Sequence, residues 1–319
     1  MRQRTTKFRA LLLVALAALA AWCISPPRAW SGGQGTVIGP NPAPSPAELN
    51  ALIARAVENQ HKDDRTIEEF ERIEHVSAHN TGENFSGPAD HTERVVPSGT
   101  GIMRLRLAEN GVNVSGDKYR SEIQIAVNAL NIAIHPNDRY RADLLKFERR
   151  RRDRADLVES AQRAFRLQWA GRESRPDPTA PGGTRVLAKI LLDPDPGYKP
   201  ISMFASTFTH VRGALWVDES AAQFARLDID ISSDINFVAG IAGKVNHGGH
   251  LTMEQSEVAP GIWFPTLLAY DVDGRKFFSP FTIHERTELS RYRRIGPPSQ
   301  SIELFRAELD SLTAGVAAH

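Results

Sequence analysis

The chain has 319 residues, 41% of them hydrophobic and 24% charged, with a formal net charge of +1 and a single cysteine. Residues 1–31 hold five basic side chains (Arg2, Arg4, Lys7, Arg9, Arg28) and no acid, leaving 34 basic against 38 acidic residues and a net charge of −4. That balance excludes a protein driven electrostatically onto nucleic acid, which needs a clustered excess of cations. One cysteine, Cys23, excludes a disulfide framework, so a hydrophobic core must hold the fold.

Residues 1–31 are expected to be a secretory signal peptide. A basic start is followed by an apolar run, Ala10 to Ile24, shorter than the roughly 20 residues a spanning helix needs. Pro26 and Pro27 then break the helix, and Ala29-Trp30-Ser31 suits cleavage after Ser31. The expected location is periplasmic or secreted. Trp22 before Cys23 is too large for a lipoprotein signal, so lipid anchoring is not expected.

Residues 32–46, with Pro42, Pro44 and Pro46, read as an extended tether. Ser45 as N-cap and Pro46 at the first helical position open a helix whose stripe is Leu49, Leu52, Ile53, Ala56 and Val57, ending near the polar run Gln60 to Arg65. Two or three antiparallel strands are expected between Thr66 and Asn110-Gly111, including Ile102 to Leu107, where apolar and basic residues alternate. From about 116 to 164 the period becomes helical, interrupted at His135-Pro136-Asn137, which predicts a two-helix insertion. Ala164 to Trp169 reads as a strand. Arg175 to Gly183 reads as a linker or a long loop, and Arg185 to Leu192 as a buried strand.

From His210 to Arg294 short alternating segments are broken at turn candidates: Asp218-Glu219, Asn246 to Gly249, Pro260-Gly261 and Asp273-Gly274. This predicts an antiparallel meander ended by Gly296-Pro297-Pro298, with a short helix in the tail, 299–319. The expected fold is α+β, a single domain over residues 47–298 with an unclosed antiparallel β-barrel, an N-terminal helix and the insertion.

Four constellations invite a chemical reading. His247 and His250, separated by Gly248-Gly249, can ligate a metal with a third ligand such as His284, but they also suit a glycine turn between strands, and no metal or other cofactor is assigned. Arg149 to Arg152 with Arg154 spreads around a helix, which suits a solvated surface and secondarily contact with an anionic membrane surface. Asp228 and Asp230 with Arg226 read as the wet face of a strand, opposite Ala225, Leu227, Ile229 and Ile231. Trp216, Leu227, Ile229, Trp263, Phe277 and Phe281 are candidates to line a ligand cavity or pack a core. No Walker loop, G-x-S-x-G elbow or dinucleotide fingerprint occurs, so no catalytic residue is assigned.

The strand start Gly213-Ala214-Leu215-Trp216-Val217-Asp218 and the segment Gly261-Ile262-Trp263-Phe264-Pro265, set in this order of elements, resemble the bacterial outer-membrane lipoprotein carrier and sorting proteins, in particular their diverged periplasmic members. The resemblance covers roughly residues 65–295. It implies an open barrel partly covered by helices, and a hydrophobic ligand such as a lipid or a lipoprotein acyl chain. No functional residue of that family maps onto this chain. A cell-envelope interaction module binding other envelope proteins is the alternative, and a metal-dependent hydrolase on His247 and His250 a remoter one.

Overall fold

The computed structural model describes residues 36–37, 42–82, 88–177, 180, 182–237 and 243–317. The expected signal peptide with Cys23, and most of the tether, lie outside the described residues. The fold is α+β. Fourteen strands form one antiparallel sheet in which β1 (Thr36–Val37) and β5 (Val112–Asn113) each have a single neighbour among the described residues, so it does not close into a barrel. Within the expected single domain the chain groups into two compact units.

The first unit carries the strand order β1, β6 (Phe165–Pro176), β7 (Thr184–Pro194), β8 (Val211–Asp218), β9 (Gln223–Ile231), β12 (His250–Ala259), β13 (Ile262–Lys276) and the first part of β14 (Ser279–Arg294). The prolines between Arg175 and Gly183 therefore belong to a hairpin connection: Pro176 pairs with Thr184. Two three-residue strands, β10 (Ile235–Phe237) and β11 (Gly243–Val245), form a side hairpin, with β11 also pairing β13.

Helix α1 (Pro46–Thr66) covers one face of this unit. Its start is a capping box: Glu48 N–H donates to Ser45 Oγ and Ser45 N–H to Glu48 Oε2, satisfying amides that would otherwise be orphaned. Its apolar stripe packs on Ala188, Ile190 and Val217. The helix runs through the polar residues expected to end it, because they find partners. Asn59 Nδ2 donates to the carbonyls of Ala221 and Ala222 at 3.1 and 3.0 Å, and buried Asp63 accepts from Gln223 Nε2 at 3.0 Å.

The second unit contains the end of β14, β2 (Phe70–Ala78), β3 (Asp90–Pro97), β4 (Ile102–Glu109), β5, helix α2 (Gly116–Ile134), most of α3 (Asp138–Ala164) and α4 (Pro298–Ala317). The α2–α3 insertion is broken at residues 135–137, as the proline predicts. Val96, Leu105, Ile123, Leu130, Ile302 and Phe305 form its core. Two charge networks flank it. Arg94 binds Glu71 and Glu308, with Tyr119 on the same carboxylate, and its guanidinium is held above the usual range by these carboxylates against the opposing effect of burial. Arg104 and Arg106, the basic positions of β4, meet Glu74 and Glu93.

Candidate functional site

Inside the first unit, between α1, the last turns of α3 and the sheet, lies a cavity of about 130 Å³. Helix α1 contributes Ile53, Val57 and Gln60, a spacing that places them along one helix face. Val158 and Gln162 come from α3. The sheet wall is a cross-strand row: Leu215 on β8 stands opposite Leu227 on β9, which stands opposite Met253 on β12. Beside it Ile229 faces Gly213, where a Cβ would run into the Asp228 carbonyl.

No lining residue carries a charge, and Gln60 and Gln162 are the polar ones. Gln60 Oε1 accepts from Gln255 Nε2 at 2.9 Å, while the buried Gln255 Oε1 has no hydrogen-bond partner. An unsatisfied buried acceptor costs about 1–3 kcal/mol. Gln60 and Gln162 are thus the neutral hydrogen-bonding groups of a wall that is otherwise apolar.

Leu227 and Ile229, expected as lining residues, are in the wall. Trp216 and Trp263 are on the opposite face of the sheet, in a cluster with Leu187, Ala214 and Ala225. There they are covered by cations: Arg185 lies 4.7 Å over Trp263, and Lys189 and Arg226 lie 4.8 and 5.5 Å from the Trp216 ring. Trp216 Nε1–H donates to Glu173. Trp216 lies on that face because it alternates with Leu215 along β8; opposite it a register shift, with Ala225 the extra residue of β9, brings Phe224 to the cavity and turns Ala225 away from the face that alternation assigns it. Phe281 is buried against Gly274, outside the lining, and Phe277 is half exposed at the β13–β14 hairpin tip.

The histidine pair does not converge. His247 Nδ1 bonds Asp234 at 3.0 Å, whereas His250 bonds Asp230 at 2.8 Å and Thr252 at 3.1 Å. Among the described residues no group of three His, Cys, Asp or Glu side chains is placed to hold a metal. The intervening glycines serve the backbone. Gly248 takes φ +88°, and a Cβ on Gly249 would come within 3.0 Å of Val272, Asp271 and Ile231. His284 binds Asp271 at 2.7 Å. Asp228 pairs with Arg226, and Asp230 with His250, along a partly wetted strand face. Arg149, Arg150 and Arg152 are exposed, and Arg151 binds Glu148 and Glu68. Among the described residues no helix is long and apolar enough to cross a membrane.

Fold and cavity together define an α+β protein with an unclosed antiparallel sheet and a small apolar chamber beneath its N-terminal helix. No family model and no curated protein matches the chain. Among solved structures it is similar to a DUF1329 family protein from Desulfovibrio piger, at 12% identity, covering 77% of this chain and 92% of that one with a TM-score of 0.26.

Proposed function

We propose that the chain is a binding or carrier protein for a hydrophobic ligand, a lipid or acyl chain, held between α1, the end of α3 and the sheet. The observation that carries this reading is the uncharged chamber of about 130 Å³ walled by Leu215, Leu227, Ile229 and Met253. A dry apolar cavity of about 150 Å³ is enough to take up benzene, so this chamber accommodates the end of one chain. Each methylene withdrawn from water contributes about 0.8 kcal/mol. Longer chains require α1 to move from the sheet. A charged head group has no counter-ion in the lining and stays outside it. The resemblance to lipoprotein carriers and the expected periplasmic location accord with this reading.

Organic extraction of the purified protein followed by mass spectrometry tests it, together with uptake of a fluorescent fatty acid. Bound lipid or saturable uptake is expected, and Leu227→Trp, which fills the chamber, should abolish it while leaving circular dichroism unchanged. A wild-type protein that carries no lipid and takes up no probe overturns the reading.

A further inference from the structure

Strand β13 ends at Lys276 and β14 begins at Ser279, so Phe277-Phe278 is the whole loop between them. Two-residue hairpin loops strongly favour Asn-Gly or Asp-Gly, whose backbones enter the left-handed region at little cost. Here Phe277 occupies that region at φ +52°, where a bulky residue is an outlier. Phe278 is 93% exposed and Phe277 52%. The turn-forming pair Asp273-Gly274, expected to make this turn, is instead inside β13. Folding does not account for the Phe278 ring, which contacts almost nothing, and it holds Phe277 on a disfavoured backbone.

Cations flank the two rings. Arg275 and Lys276 precede them, and Arg275 Nη1 donates to the Phe277 carbonyl at 3.3 Å. Lys244 on β11 is the register partner of Arg275 and is bound to Asp234 at 2.6 Å, while Asp273 accepts from Thr282. Apolar rings beside basic side chains match the acyl boundary and anionic head groups of a bilayer.

We infer that the β13–β14 tip is a membrane-docking element that places Phe277 and Phe278 in the interfacial layer of an anionic bilayer, with Arg275 and Lys276 against its head groups. This rests on the tip alone and stands whether or not the cavity carries lipid. Sedimentation of the full chain with vesicles of phosphatidylglycerol and phosphatidylethanolamine, compared with phosphatidylcholine, tests it. The wild type should bind the anionic vesicles more tightly, Phe278→Ser should weaken binding about tenfold, and Arg275→Gln with Lys276→Gln should remove the preference for anionic lipid and its salt sensitivity. Phe278→Trp, at a position too exposed to disturb folding, should shift its emission to the blue on these vesicles. Wild-type protein that binds neither vesicle, unchanged binding of Phe278→Ser, or an unshifted Phe278→Trp overturns the inference. Self-association that Phe278→Ser abolishes, without vesicle binding, would reassign the tip to contact between copies and overturn it equally.

Discussion

Replacing Glu74 by Gln removes one negative charge from a site that is 1% exposed. Its Oε1 accepts from Arg72 Nε at 2.8 Å and Nη2 at 2.6 Å, and its Oε2 accepts from Arg104 Nη1 at 2.5 Å. Breaking a buried ion pair from one side costs about 3–5 kcal/mol, because the other charge stays buried and uncompensated. Arg104 retains Glu93 at 2.8 Å, so the loss falls mainly on the buried Arg72, and about 3 kcal/mol is expected. Burial raises the Glu74 pKa, but Arg72 and Arg104 outweigh it and hold the carboxyl below its usual range. A folded-state pKa below the unfolded value of about 4.3 means that the contribution is complete above that pH and is lost as pH falls through the folded value. The gap between wild type and Glu74→Gln should therefore be widest near neutrality and narrow in acid. Urea unfolding across this pH range, with hydrogen exchange of the β2–β4 amides to assign the transition, measures both effects. The pair Arg72→Met with Glu74→Leu should recover most of the loss, since apolar replacement of a whole buried pair is often neutral. A Glu74→Gln cost under about 1 kcal/mol, or a gap that does not close in acid, would refute the buried-network argument.

Three further substitutions probe the first unit. Gly274→Ala places a Cβ against the Lys244 carbonyl and the Phe281 ring, so it should cost about 1–3 kcal/mol and raise amide exchange in β11. Arg185→Lys gives up a guanidinium that stacks on Trp263 while bonding Asp177, Asp218 and Glu257, and thermal unfolding should show a loss of about 2 kcal/mol despite the conserved charge. Asn59→Ala removes both side-chain bonds to the β8–β9 turn, and about 1–2 kcal/mol should be lost, with faster exchange confined to the last turns of α1.

The alternation of β9 and the helical period of residues 116–164 were readable because each pattern is local: a wet row of Arg226, Asp228 and Asp230, and a proline where two helices part. Local pattern also marked Leu227 and Ile229 as inward residues. It failed where register slips, since extra residues at Ala225 in β9 and Thr266 in β13 exchange sides without any sign in composition. Trp216 and Trp263 are candidates for cavity or core by their size, and they pack a core cluster on the other face, where an aromatic ring binds a guanidinium or ammonium as readily as a methyl group. The cavity residues of α1 and α3 were invisible as a group, because Val57, Val158 and Met253 meet only through long-range packing. The Gln60 to Arg65 run reads like a helix end for the same reason: Asp63 and Gln60 find partners 160 and 195 residues further on.

The division of the tryptophans between the two faces of the sheet has an optical consequence. Trp169, under Arg172, packs with the α1 cluster beside the cavity lining, whereas Trp216 and Trp263 are under cations on the reverse. Beyond residues 1–31 these are the three indoles of the chain. An occupant of the chamber that shifts α1 would change the surroundings of Trp169 ahead of those of Trp216 and Trp263. Tryptophan emission would then report such a shift through one of its three sources, without a label.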